Sequence, residues 1–133
     1  DLNGKKFALW GLSFKPETDD VREAPSLLII KELTGSGAEV VCYDPEAMNN
    51  IRDIVGDKIK YSNNGLDALN EVDALLIATE WSAFRNPDFN LMYSLMKSPI
   101  IFDGRNLYDL ESMENKKFYY QSVGRKVINN LNK

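Results

Sequence analysis

Short apolar runs alternate with helix-like segments along this chain, and that alternation restricts it to a layered α/β fold built on a mostly parallel sheet. Phe7-Ala8-Leu9-Trp10-Gly11 is an uninterrupted apolar run of the kind a strand shows when both faces of its sheet are covered. After a long loop, Ala24-Pro25-Ser26 reads as a helix start with proline in the first turn. Leu27, Leu28, Ile30 and Leu33 continue that helix until Gly35 and Gly37 stop it. Glu39-Val40-Val41-Cys42-Tyr43 is a second buried strand, closed by Asp44-Pro45, and the three pieces make a β-α-β unit.

The alternation persists. A helix is expected over Ala47–Val55, a short strand near Ile59-Lys60-Tyr61, and a helical turn over Leu66–Asn70. Ala74-Leu75-Leu76-Ile77-Ala78-Thr79 is the clearest central strand, Asp88–Met96 is helical, and Pro99–Asp103 is another strand. Phe118-Tyr119-Tyr120 reads as an edge strand before a polar tail, with Asn129–Lys133 frayed or cut. The expected architecture is a Rossmann-like, doubly wound sheet with helices on both faces, and 133 residues suit one domain.

Composition removes several functional classes. A formal charge of −4 gives no basic field to gather nucleic acid. No apolar run approaches the roughly eighteen residues of a membrane span. A single cysteine, Cys42, excludes an internal disulfide. The absence of histidine argues against zinc chemistry and a Ser-His-Asp triad. The chain opens on Asp1 without a signal peptide and reads as a piece of something longer.

The loop between the first strand and the first helix, Leu12 to Ala24, is where an open α/β sheet puts its ligand. A few residues would close it, yet it holds about a dozen, including Lys15, Arg22, Glu17, Asp19, Asp20 and Glu23. Lys15 and Arg22 lie near a helix N-terminus and could hold a phosphate or carboxylate. Equally, Lys15 could be solvated and Arg22 paired with Asp19 or Asp20. No Gly-x-Gly-x-x-Gly or Walker lysine pattern follows the strand, so an independent dinucleotide or triphosphate site is not supported.

Asp103-Gly104-Arg105-Asn106 follows a late strand and emerges on the same sheet edge, where Arg105 could clamp an anion bidentately or merely decorate a tight turn. Thr79-Glu80-Trp81 shares that edge, and Trp81 and Phe84 read as core more readily than as a ligand cover. Cys42 reads as a buried small hydrophobe. Asp44 stands where nucleotide folds often hold a ribose, but reads better as a cap.

Taken in order, the segment from Gly11 to Ser26, Tyr43-Asp44-Pro45, Thr79-Glu80-Trp81 with Phe84-Arg85, Phe102-Asp103-Gly104-Arg105-Asn106 and Ser122-Val123-Gly124-Arg125 resemble the C-terminal, UDP-binding domain of UDP-glucose 6-dehydrogenases. The resemblance implies an NAD-dependent oxidoreductase that converts UDP-glucose to UDP-glucuronate in two hydride transfers, of use in polysaccharide biosynthesis. It implies an N-terminal NAD domain and a central helical region bearing the nucleophilic cysteine, neither of which is in this chain, so the chain alone is expected to be inactive. Cys42 does not match that cysteine. By the resemblance, Phe14, Lys15 and Arg105 meet the nucleotide sugar, Arg22 reaches the cofactor, and Asp19 and Asp20 orient the arginines or brace the loop. It further implies a cytoplasmic homodimer joined through the central region. The alternatives are a relative acting on another UDP-sugar, such as UDP-N-acetylmannosamine, and a non-enzymatic receiver-like module.

Overall fold

Within Lys6–Trp10 (β1), side chains alternate between two buried layers: Ala8 and Trp10 enter one hydrophobic cluster and Leu9 the other. That alternation is what a strand in the middle of a two-sided sheet requires. In the computed structural model, which describes residues 2–131, these strands form a seven-stranded sheet among the described residues.

The elements follow as Pro25–Gly35 (α1), Glu39–Tyr43 (β2), Met48–Val55 (α2), Lys60–Tyr61 (β3), Ala74–Ile77 (β4), Phe89–Leu95 (α3), Ile100–Asp103 (β5), Leu110–Glu114 (α4), Tyr119–Ser122 (β6) and Ile128–Asn129 (β7). Spatial order is β3-β2-β1-β4-β5-β6-β7. All pairs are parallel except β6 with β7. The chain therefore winds outward from β1 in one direction and from β4 in the other. The point of reversal lies between those two strands, with Phe7 opposite Ala74 and Trp10 opposite Ile77.

Each winding direction loads its own face. Ile30 of α1 and Ile51 of α2 pack with Leu9, Val40 and Cys42 on one side of the sheet. Met92 of α3 and Met113 of α4 pack with Trp10, Ile77, Ile101 and Tyr120 on the other. Trp10 stacks on Phe84 with ring centroids 4.9 Å apart. Helices cover both faces, as the alternation implied.

The helix starts have local causes. Pro25 opens α1, where its missing N–H costs nothing, and the Asp88 carboxylate accepts from the Leu91 N–H to open α3. The C-terminal third departs from expectation. The strand expected at Phe118–Tyr120 runs over Tyr119–Ser122 and is interior, because β7 pairs with it antiparallel on its far side. The tail expected to fray is held as far as Asn130: Asn129 lies in β7, and the buried Asn130 amide donates to the Met113, Glu114 and Lys116 carbonyls at the end of α4. Asn132 and Lys133 lie outside the described residues. The short helix α4 was not anticipated, and the central strand ends at Ile77 rather than Thr79.

Gly11 makes the turn out of β1. Its φ is +94°, and a Cβ there would stand 2.6 Å from Cβ of Thr79. Replacing Gly11 with Ala should therefore cost about 2–4 kcal/mol, combining left-handed backbone strain with overpacking. Chemical denaturation of both proteins measures the loss, and an unchanged midpoint would contradict the packing described.

Candidate functional site

Hydrogen bonds within the protein hold the backbone of the loop after β1. Asp44, fully buried at the end of β2, turns Oδ2 toward the Leu12 N–H at 2.7 Å, the Ser13 N–H at 3.2 Å and the Trp81 indole N–H at 3.2 Å. Its Oδ1 accepts from the Glu46 and Ala47 N–H groups, each at 2.8 Å. The expected helix cap is not what forms: α2 starts from Ala47 with no side-chain cap, and Asp44 instead closes a turn ahead of it, the smaller part of what Asp44 does. A ribose would find no carboxylate oxygen exposed here.

Carbonyls in the same stretch are matched as fully. The Leu12 carbonyl accepts from the Ser26 hydroxyl at 2.6 Å, and the Ser13 carbonyl from the Thr79 hydroxyl at 2.8 Å across the point of reversal. The Phe14 N–H donates to the Asp20 carbonyl at 2.7 Å. Leu12 and Val21 anchor the loop at both ends in the core. Those anchors hold Glu17 and Glu23 at positive φ, a conformation costing an ordinary residue roughly 1–2 kcal/mol.

Phe14 and Lys15 consequently present exposed side chains from a rigid main chain. Arg105 joins them from the loop after β5. Its Nε donates to the Ala78 carbonyl at 3.0 Å and its Nη2 to the Phe14 carbonyl at 3.1 Å, while Nη1 lies 3.5 Å from the Glu80 carboxylate. Arg105 is therefore bound to the residue next to Lys15. The sheet edge brings the loops that carry Lys15 and Arg105 together, as the strand order required. A guanidinium has five N–H donors, so the two carbonyls orient this one and leave donors for a ligand oxygen.

Arg22 forms a fork with Asp20: Nε to Oδ1 at 3.0 Å and Nη2 to Oδ2 at 2.9 Å. Its main-chain N–H also meets Oδ1, at 3.0 Å. Of the two acids near it in sequence, Asp20 rather than Asp19 is the partner formed. The Arg22 side chain is 88% exposed and faces outward. A hollow of about 360 Å³ is lined by Phe14, Asp20, Arg22 and Glu23. A larger groove of about 680 Å³ lies by Trp10, Tyr43, Gly65 and Phe84, away from these cations.

Trp81 and Phe84 are core residues, at 5% and 2% exposure. Cys42 is buried, and desolvation beside the Asp44 carboxylate pushes its thiol up to about 12, which leaves it a neutral packing group. A dinucleotide fits this loop poorly: the Leu12 and Ser13 amides that would cradle a pyrophosphate already serve Asp44. Sequence reasoning missed Glu80 as the counter-ion of Arg105, though its place after β4 was visible. Among the described residues no helix is long and apolar enough to cross a membrane.

The family model for the UDP-glucose/GDP-mannose dehydrogenase family, UDP binding domain, matches residues 8–110. A UDP-glucose 6-dehydrogenase of Rhizobium meliloti (strain 1021) is 41% identical over 125 residues, covering 94% of this chain and 28% of that protein. The structure of a UDP-glucose dehydrogenase from the hyperthermophilic archaeon Pyrobaculum islandicum superposes with a TM-score of 0.77 at 30% identity, over 94% of this chain and 26% of the other. An NDP-N-acetyl-D-galactosaminuronic acid dehydrogenase from Methanosarcina mazei Go1 gives 0.80 at 27% identity, over 94% and 26%. The chain spans a little over a quarter of the length of the relatives it matches.

The Asp20 carboxyl is held down to about 2, below its ordinary 3.8, chiefly by its hydrogen bond to the Arg22 side chain. The pair thus favours the folded form above about pH 3.8, and that contribution fades as pH falls through about 2. An NMR titration of the Asp20 carboxyl should show a midpoint near 2 that returns toward 3.8 in Arg22→Ala. An equal midpoint in both proteins would mean that the fork does not form.

Proposed function

Because this chain belongs to the UDP-glucose/GDP-mannose dehydrogenase family, we propose that it is the nucleotide-sugar half-site of a longer, NAD-dependent UDP-glucose 6-dehydrogenase. Residues 1–133 form one UDP-sugar-binding domain of that enzyme, which oxidises the C6 alcohol of UDP-glucose to the carboxylate of UDP-glucuronate. NAD, held mainly by another domain, accepts the hydride in each of the two steps.

In this reading the chain binds and orients and does not react. Lys15 and Arg105 neutralise the diphosphate from two sides, Lys15 as a compact point charge and Arg105 as a planar donor pair. Phe14 lays its exposed ring against the nucleotide sugar. Arg22, steadied by Asp20, extends toward a cofactor phosphate across an interdomain cleft. Fixing the diphosphate in this way sets the C6 carbon relative to groups supplied from outside this chain, and such positioning can supply much of a rate enhancement.

The observation that carries the reading is the Arg105 bond to the Phe14 carbonyl, which draws two cations from distant segments to the point of sheet reversal. That is where open α/β folds bind ligands. The enzyme works in the cytoplasm as a homodimer joined through its central region. The fold shared with an N-acetyl-D-galactosaminuronic acid dehydrogenase keeps a second reading in view, the same half-site serving another UDP-sugar. The receiver-like alternative has nothing comparable behind it: Asp44 and Asp103 are both buried, and both carboxylates are taken up by protein donors.

In the complete polypeptide, Lys15→Ala and Arg105→Ala should each weaken UDP-glucose binding by about 1.5–3 kcal/mol, the worth of a charge-assisted hydrogen bond in a closed cleft. Isothermal calorimetry measures both, and unchanged affinity in both variants would overturn the site. Comparing UDP-glucose with UDP-N-acetylmannosamine as substrates separates the two sugar readings.

A further inference from the structure

The Ser122–Arg125 loop has no role in the reading above, yet it is stitched to the loop that carries Arg105. Asn106, at φ +54°, donates through its amide to the Val123 carbonyl at 3.0 Å and accepts from the Val123 N–H at 2.8 Å. Arg125 donates Nε to the Ser122 hydroxyl at 2.8 Å and Nη2 to the Tyr120 hydroxyl at 2.9 Å. Tyr120 is fully buried, and its hydroxyl donates in turn to Asp103 Oδ2 at 2.6 Å.

Asp103, 1% exposed, closes the chain. Its Oδ1 accepts from the Arg105 N–H at 2.9 Å and its Oδ2 from the Leu107 N–H at 2.7 Å. A buried carboxylate needs its oxygens matched by donors, and a positive charge nearby adds to what the donors supply. Arg125 supplies that charge at one hydroxyl's remove. Burial, with the Asp103 bond next in weight, pushes the Tyr120 phenol well above its ordinary range, so it remains a donor. The carboxylate sets where the Arg105 side chain leaves the backbone, and the Ala78 and Phe14 carbonyls set where it ends.

We propose that Tyr120 and Arg125 are positioning residues for the diphosphate contact of Arg105, acting through Asp103 and touching no ligand themselves. The inference rests on the reading that Arg105 grips the diphosphate. A group that orients a binding side chain acts through geometry, and a misplacement of about 1 Å at a distance from the ligand is enough to be felt there.

The test is a double-mutant cycle on the complete polypeptide, with UDP as the titrant. Arg125→Met should weaken UDP binding about tenfold, with Arg125→Lys recovering most of the loss. In an Arg105→Ala background the Arg125→Met change should add less than about twofold, because the group through which it acts is gone. Tyr120→Phe, nearly isosteric, should behave as Arg125→Met does and carries the same cycle if Arg125→Met fails to fold. Either substitution leaving affinity unchanged, or giving the same loss in both backgrounds, overturns the inference while the half-site stands. Arg105→Ala binding UDP as well as the unmodified protein overturns the half-site and the inference together.

Discussion

A single buried carboxylate holds the working edge of this domain together. Asp44 sits at the end of β2 with no solvent exposure and gathers N–H donors from three separate stretches: Leu12 and Ser13 after β1, Glu46 and Ala47 before α2, and the Trp81 indole after β4. Moving an isolated carboxylate out of water costs several kcal/mol even after relaxation, so an arrangement of this kind persists only where the donors are already aimed. Because those donors belong to loops that would otherwise be independent, the requirement to satisfy one charge fixes their relative positions. The turn at Gly11, pressed against Thr79, is the steric counterpart of the same constraint.

Asp103 repeats the device at the end of β5. It too is buried, and it organises the Arg105–Leu107 turn and the Tyr120 hydroxyl. The two carboxylates flank the point where the sheet reverses direction, and a side chain bridges them: Arg105, launched from the Asp103 turn, ends on the carbonyl of Phe14 in the loop that Asp44 anchors. Negative charge is thereby kept inside and internally matched, while cationic groups are presented at the surface. A domain with net charge −4 can hold an anion in this way, because the field that matters is local.

Much of this was legible in the chain. The buried strands β1 and β2 are continuous apolar runs after their first residue and β4 is one throughout, and Pro25 and Gly35 mark the limits of α1, so the winding order and the shared edge of the Lys15 and Arg105 loops follow from pattern alone. The end of the chain was less legible for a physical reason. Val127, Ile128 and Leu131 are the few apolar residues of a mostly polar stretch and Asn130 is polar itself, so the burial of Ile128 and Asn130 depends on what β6 and α4 offer them, which no local periodicity encodes. Arg22 was undecidable for a similar reason, since Asp19 and Asp20 both lie within three residues of it and only loop geometry selects Asp20. Asp44 was underestimated because a cap is a local relation, whereas three of its donors come from more than thirty residues away.

On the proposed reading Lys15 and Arg105 share one diphosphate, and the decisive measurement is a crystal structure of the complete polypeptide with bound UDP-sugar. Diphosphate oxygens should lie within hydrogen-bond distance of Lys15 Nζ and an Arg105 Nη, with the Arg105 bonds to the Phe14 and Ala78 carbonyls intact. A diphosphate seated elsewhere, in the groove by Trp10 and Phe84 for example, or an Arg105 released from both carbonyls to reach it, would mean that the two side chains do not form this site.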